Sequence, residues 1–375
     1  MKNLKTLLWI CTFLIVTPLF AQGKFYASNR ALNAVNTYEV DGTYIEEFIA
    51  QNSGGLSNPQ DILIHPGLFL LVTGSNNEQI KKFDLETGAY LGDWSDPNFA
   101  LSNPSKMSIG PDDTLYVTQW GTTQEGSKIV RFDLQGNYLG AFTPSAPQGL
   151  GHVWDDEGNF YLALFGLNPG TGTVRKYDPD GNFLEIFITS AFLANPAYIW
   201  WDENTGDMLV QDWGAGKVLR YDSNGDYIDE FITGLNNPEG YTVLENGNIL
   251  ISERSANQIT EYNPDGSLVG RWDNGGVLAG PNFIEYLDPT LGINDFATAD
   301  LLVTPTVSNY FLLNPTLSKD YQRFEVYDIF GRRVDTINPN TQEFWNADTH
   351  NEGVYFITGI RFDGQKGSQK IIVKK

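Results

Sequence analysis

The sequence predicts an all-β chain: a six-bladed β-propeller followed by a small immunoglobulin-like β-sandwich. Three observations carry this. One hairpin recurs six times at spacings of 41 to 49 residues, as Tyr38–Phe48 (YEVDGTYIEEF), Phe83–Trp94, Phe132–Phe142, Tyr177–Phe187 (YDPDGNFLEIF), Tyr221–Phe231 and Tyr262–Trp272. Between copies, a Pro usually preceded by Asn opens a second hairpin, as in Asn103-Pro104 and Asn237-Pro238. After residue 287 both patterns stop and another set of turn-separated strands begins. Two hairpins in about 40 to 50 residues make four strands, the arithmetic of one propeller blade.

Each copy of the first hairpin has an aromatic residue, a polar turn closed by Gly and an alternating strand ending in an aromatic. Asp178-Pro179-Asp180-Gly181-Asn182 looks like the opening of a calcium loop. Such a loop needs further oxygen ligands and a late bidentate carboxylate. Here an alternating strand follows at once, and Asp, Asn and Gly are the ordinary residues of tight turns, so a hairpin turn is expected. In the second hairpin, the stretch after Pro238 reads strand, Glu245-Asn246-Gly247-Asn248 turn, strand.

The two ends of the array are complementary. The first copy, at Tyr38, is preceded by one strand (Phe25–Ser28), whereas the last Pro, Pro281, is followed by one strand and nothing more. Phe283–Leu287 is therefore expected to supply the innermost strand of the first blade. That closes a ring over residues 24–287 and removes exposed sheet edges.

At the N-terminus, Lys2 and Lys5 precede an apolar run from Leu7 to Phe20, and Ala21 offers a small residue for cleavage. Residues 1–21 read as an export signal, too short for a membrane span. The only cysteine, Cys11, lies inside that run, so the mature chain would have no disulfide. No integral membrane span is expected in it. With 46 acidic against 24 basic residues the formal charge is −22. A field of that sign disfavours nucleic acid and anionic membrane surfaces as partners.

The hairpins resemble the NHL and related six-bladed propeller repeats, most closely over Pro147–Leu164 and Pro238–Ile251. Among such proteins, gluconolactonase-like relatives hold a divalent metal at the central channel through Glu, Asn and Asp from different blades. On that resemblance, residues just after each Pro (Gln60, Ser105, Gln148, Ala197, Glu239 and Asn282) should ring the channel mouth. Glu239 with Asn282 and Gln60 could hold Ca²⁺, with Asp61 adjacent. One carboxylate with amides is a weak set for that ion, and a solvated polar funnel is the competing reading. Streptogramin-lyase relatives use paired histidines with an acid. This chain has three histidines; His65 is expected in a hairpin turn and only His152 in an inner strand, with a packed or hydrogen-bonded core role.

The loops between second and third strands should open on the same face, carrying Arg30, Asn76, Trp120, Phe165, Trp213 and Arg254. Trp120 and Trp213 occupy matching repeat positions. Aromatic residues beside Gly and polar groups can stack on a sugar ring or grip a peptide. The competing reading packs them between blades, as is expected of Trp200 and Trp201.

Residues 288–304 read as a linker, and 305–375 as a second domain with strands at Tyr310–Leu313, Arg323–Asp328, Arg332–Ile337, Gly353–Phe362 and Gln369–Lys374. The landmarks Asn314-Pro315, Val326-Tyr327-Asp328-Ile329-Phe330-Gly331, Gly353-Val354-Tyr355-Phe356 and the terminal Lys370-Ile371-Ile372-Val373-Lys374-Lys375 resemble, in order, the type A C-terminal sorting domain of the type IX secretion system of Bacteroidota. The stretch Ala347–Glu352 departs by lacking the usual Leu. The resemblance implies the type IX machinery as a partner and delivery through the periplasm to the outer-membrane surface or the medium.

Three function classes stand at this point. A secreted module binding a glycan or a protein on the face of Trp120, Phe165, Trp213 and Arg254, without catalysis, is favoured because no compact acid/base pair is visible. The others are a metal-dependent lactonase-like or lyase-like enzyme centred on Glu239, and a structural or adhesive surface protein.

Overall fold

The computed structural model describes residues 23–287 and 301–375, apart from 66–68, 122–126, 167, 169, 190, 316–317, 330–331 and 363–365. The leader with Cys11, most of the linker, the Pro66-Gly67 turn and Phe330-Gly331 lie outside the described residues.

Six four-stranded antiparallel sheets form the blades. Their inner strands are Pro281–Leu287, Pro59–His65, Pro104–Ile109, Gly149–Trp154, Pro196–Trp201 and Pro238–Val243, for blades 1 to 6. Blade 1 is completed as expected: Pro281–Leu287 pairs antiparallel with Lys24–Asn29, in the register Lys24 with Leu287 and Ala27 with Ile284. The chain's last propeller strand thus holds its first and closes the ring.

The recurring Asp-x-x-Gly turn is a hairpin. Asp178 Oδ1 accepts the Asp180 and Asn182 amides at 3.0 and 2.8 Å, and its Oδ2 accepts the Asn182 side-chain amide at 2.9 Å. Those bonds occupy the carboxylate with its own turn. Gly181 has φ +84°, and a Cβ there would lie 2.2 Å from the Phe142 carbonyl of the preceding blade. Gly88, Gly136, Gly225 and Gly266 approach the preceding blade's terminal aromatic residue in the same way. The motif's Gly therefore serves both the turn and the contact between blades.

The core is divided among the blade interfaces. Between blades 2 and 3, for example, Leu71 and Ile80 pack with Met107, Leu115, Val117 and Phe132. Trp201 fills the interface of blades 4 and 5, donating Nε1–H to the Trp154 carbonyl at 3.1 Å and lying edge-on to Tyr161.

The C-terminal unit is two sheets. One contains Val303–Thr304, Tyr310–Leu313 and Phe344–Asn346; the other contains Val307–Ser308, Lys366–Val373, Gly353–Arg361, Tyr321–Asp328 and Arg333–Ile337. Phe311 and Trp345 from the first sheet pack with Phe324, Ile357 and Ile371 from the second. The short strands at 303–304, 307–308 and 344–346 carry too few alternating residues to be read from the sequence. Arg332 bridges to the propeller, pairing with Asp113 at 2.7 Å and donating to the Pro111 carbonyl at 2.8 Å.

Candidate functional site: the two mouths of the channel

Backbone bonds set the six-fold equivalences. Each residue that opens a second-to-third-strand loop donates its amide to the residue preceding an inner strand. The pairs are Arg30 to Gly280, Ser75 to Asn58, Trp120 to Asn103, Phe165 to Gln148, Trp213 to Asn195 and Arg254 to Asn237, at 2.9 to 3.3 Å. Two expected positions move. Ser75, not Asn76, is the equivalent on blade 2. On blade 4 Gln148, with φ +57°, occupies the place that Asn58, Asn103 and Asn237 fill elsewhere, also at positive φ. Blade 4's inner strand therefore begins at Gly149, and Leu150, not Gln148, joins Gln60, Ser105, Ala197, Glu239 and Asn282 in the first ring of the channel. Pro147 misled the alignment by two residues.

The loop-side mouth divides into two arcs. Trp120, Phe165 and Trp213, from adjacent blades, are half-buried and in contact: Trp120 meets Phe165 edge-on at 5.2 Å and Phe165 meets Trp213 at 5.5 Å. The Trp213 indole N–H is buried and has no hydrogen-bond partner among the described residues. Across the axis, Arg254 and Arg30 converge near Gly280, where a Cβ would lie 3.9 Å from Arg254 Cγ and 4.0 Å from Arg30 Cβ. Arg254 pairs with Glu239 at 3.2 Å. The four residues predicted as ligand-binding thus share one face, with Phe165 as the link between the tryptophans.

Below this mouth the channel is closed. The second ring holds Asp61, Lys106, Gly151, Tyr198, Gly240 and Phe283. Cβ atoms at Gly151 and Gly240 would lie 2.6 Å from the Tyr198 and Phe283 Cα atoms, so glycine is what admits those two aromatic residues. Lys106 is fully buried. Its ammonium donates to the Gln60 carbonyl at 3.0 Å and lies 5.6 and 5.2 Å from the ring centres of Tyr198 and Phe283. Asp61 accepts the Met107 and Ile62 amides at 2.5 and 3.1 Å. Burial pushes Asp61 up to about 7 against the pull of Lys106 and those amides, and the same burial lowers Lys106.

As an oxygen set for Ca²⁺, Glu239, Asn282 and Gln60 do not fit. Asn282 Nδ2 donates to the Gln60 carbonyl and Oε1 at 3.0 and 2.9 Å, Glu239 is paired with Arg254, and the Lys106 ammonium already lies against the Gln60 carbonyl. A resident cation repels a second one. Among the described residues no group of three or more His, Cys, Asp or Glu could hold a metal. His152 is buried against Ser108 Oγ and the Leu150 carbonyl, and burial lowers it to about 4, so it is neutral at pH 7.

The opposite mouth, where the turns within the Pro-initiated hairpins lie, holds a cavity of about 790 Å³. Trp200 stacks on Tyr241 at 4.0 Å with 16° between planes, and Tyr198 and Phe283 close the inner end. Glu285 projects from blade 1, accepting the Ile64 amide at 3.3 Å, and burial pushes it up to about 8. The sequence reading missed this cavity and Lys106. The signal for Lys106 was a single charge inside the strand Pro104–Ile109, at the register position of Asp61 one blade earlier.

No family model and no curated protein matches the chain. Solved structures share its fold. A chain of a nidogen/laminin complex aligns over 70% of this chain and 97% of its own, at 13% identity and a TM-score of 0.57. A protein of unknown function from Bacteroides caccae aligns over 71% and 99%, at 18% identity and 0.55. Virginiamycin B lyase from Staphylococcus aureus aligns over 72% and 89%, at 14% identity and 0.51. At these identities the likeness establishes the β-propeller fold alone.

Proposed function

We propose that the protein is an exported, non-catalytic binding module that takes a glycan on the loop-side mouth. The observation that carries this is the arc of Trp120, Phe165 and Trp213 on adjacent blades, facing Arg254 and Arg30 across the axis. Aromatic faces stack on the apolar faces of pyranose rings. The arginines favour an acidic sugar, since guanidinium matches a carboxylate in a planar, bidentate fashion. Export by the type IX route, and residence on the outer-membrane surface or in the medium, rest on the ordered C-terminal landmarks and the basic, apolar N-terminus.

The test is a glycan array with the full chain and Trp213→Ala. The expected result is retention of uronic-acid-bearing glycans by the wild type and its loss in the variant. Binding of no glycan, with capture of a defined peptide instead, would transfer the face to a protein ligand. Metal-dependent lactone turnover abolished by Glu239→Gln would replace the binding reading with the enzymatic one. For export, removal of residues 305–375 should trap the protein in the periplasm, as read by cell fractionation.

A further inference from the structure

The turn-side cavity is chemically unlike the loop-side mouth and needs its own account. Its inner walls are aromatic and its titratable side chains are acidic: Asp202, Glu203, Glu245 and Glu285 line it, and among the described residues no Lys, Arg or His does. Tyr198 is 8% exposed and lines the cavity. One oxygen of Glu285 accepts the Ile64 backbone amide at 3.3 Å. A cavity of this size, with few polar groups converging on aromatic walls, has the form of a small-molecule site.

We propose that this cavity binds an organic cation, an alkyl- or arylammonium group packed on the Trp200–Tyr241 wall with Glu285 as its counter-charge. Electron-rich aromatic faces attract ammonium groups, most strongly where water is excluded. The protein already uses the same chemistry one layer deeper, where Tyr198 and Phe283 flank the Lys106 ammonium. Lys106 also explains why a ligand would stop at that layer: its side chain and the two rings close the channel. An anionic ligand would meet the carboxylates of Asp202, Glu203 and Glu245, whereas a cation seated on the aromatic wall would draw the proton from Glu285.

The experiment is a ligand-observed NMR titration of the full chain with benzyltrimethylammonium, benzyl alcohol and methyl β-glucoside. The cation should bind at least about tenfold more tightly than the neutral aromatic. Glu285→Gln, which preserves side-chain shape, should weaken the cation about three- to tenfold, and Trp213→Ala on the other mouth should leave it unchanged. Tyr241→Leu should abolish binding; since it also loosens packing, its fold is checked by circular dichroism and Glu285→Gln decides. Equal binding of benzyl alcohol, tighter binding of the glucoside, indifference to Glu285→Gln, or no cation binding up to about 10 mM would each overturn the proposal.

Discussion

The two mouths of one channel are built from the same six strands and carry opposite chemistry. At the loop side Arg30 and Arg254 gather beside an aromatic arc, with Arg254 paired to Glu239. At the turn side carboxylates line an aromatic cavity and, among the described residues, no cation accompanies them. Asp61, Lys106, Tyr198 and Phe283 separate the two. In a chain of net charge −22, collecting cations at one end of the axis makes that end a distinct electrostatic environment. A propeller can therefore present two unrelated sites along one axis, provided its channel is plugged.

The plug is where the comparison breaks most readily. Lys106→Met removes the buried ammonium and leaves Asp61, the Gln60 carbonyl and Asn282 without it. Losing the donor that satisfies a buried carbonyl costs up to about 3 kcal/mol. Urea denaturation should show a loss of that size, and Asp61→Asn in the same chain should restore part of it. Additive losses would mean that Asp61 and Lys106 do not interact.

Gly151→Ala attacks the same layer from the backbone. Its Cβ would meet Tyr198 Cα at 2.6 Å, main-chain atoms that cannot swing away. A loss of roughly 2–3 kcal/mol in urea is expected, with Gly206→Ala, at φ +76° in open space, costing only about 1 kcal/mol.

These two residues also show what could be read in advance. The repeat, the turn glycines and the closing strand were legible because each depends on local pattern: alternation, Asp-x-x-Gly and a missing strand at one end matched by a surplus at the other. The aromatic arc was legible because repeat positions superimpose. What eluded the sequence was lateral contact across the axis. Lys106 meets Gln60 and Phe283, 46 and 177 positions away, and no periodicity within one blade announces that. The metal expectation failed to fit for the same reason, since it counted the oxygens at the mouth without the cation beside them. Gln148 was misplaced because Pro147 is offset by two residues from the prolines of the other blades, and only hydrogen-bond register reveals it.

The acid groups on the turn side predict a pH dependence. Burial raises Glu285 to about 8 from an ordinary 4.5, so the folded protein holds its proton more tightly than the unfolded chain does. Its stabilising effect is complete below about pH 4.5 and is lost as the pH rises to about 8; Asp61, raised to about 7, acts in the same direction. Rising negative charge elsewhere also destabilises at high pH, so the comparison with Glu285→Gln isolates the effect. Between pH 5 and 8.5 the wild type should lose on the order of 2 kcal/mol more than the variant. Parallel stability curves would place Glu285 in a wetter environment.

The smallest stability change should accompany the largest functional one. Trp213 is half-buried, touches Phe165 at 5.5 Å, and its indole N–H has no partner among the described residues. Trp213→Ala therefore removes some packing but no internal hydrogen bond, and a cost of only about 1 kcal/mol is expected. Trp213→Phe should keep the packing and lose only the N–H. If the arc is a stacking platform, the alanine variant abolishes glycan retention while phenylalanine keeps most of it, with both variants melting within a few degrees of the wild type. If the arc serves only to join blades 3, 4 and 5, the order inverts. The alanine variant then melts well below the wild type, and retention, where present, survives in whatever fraction stays folded. The ratio of lost binding to lost stability at this residue measures which mouth of the channel the protein uses for its ligand.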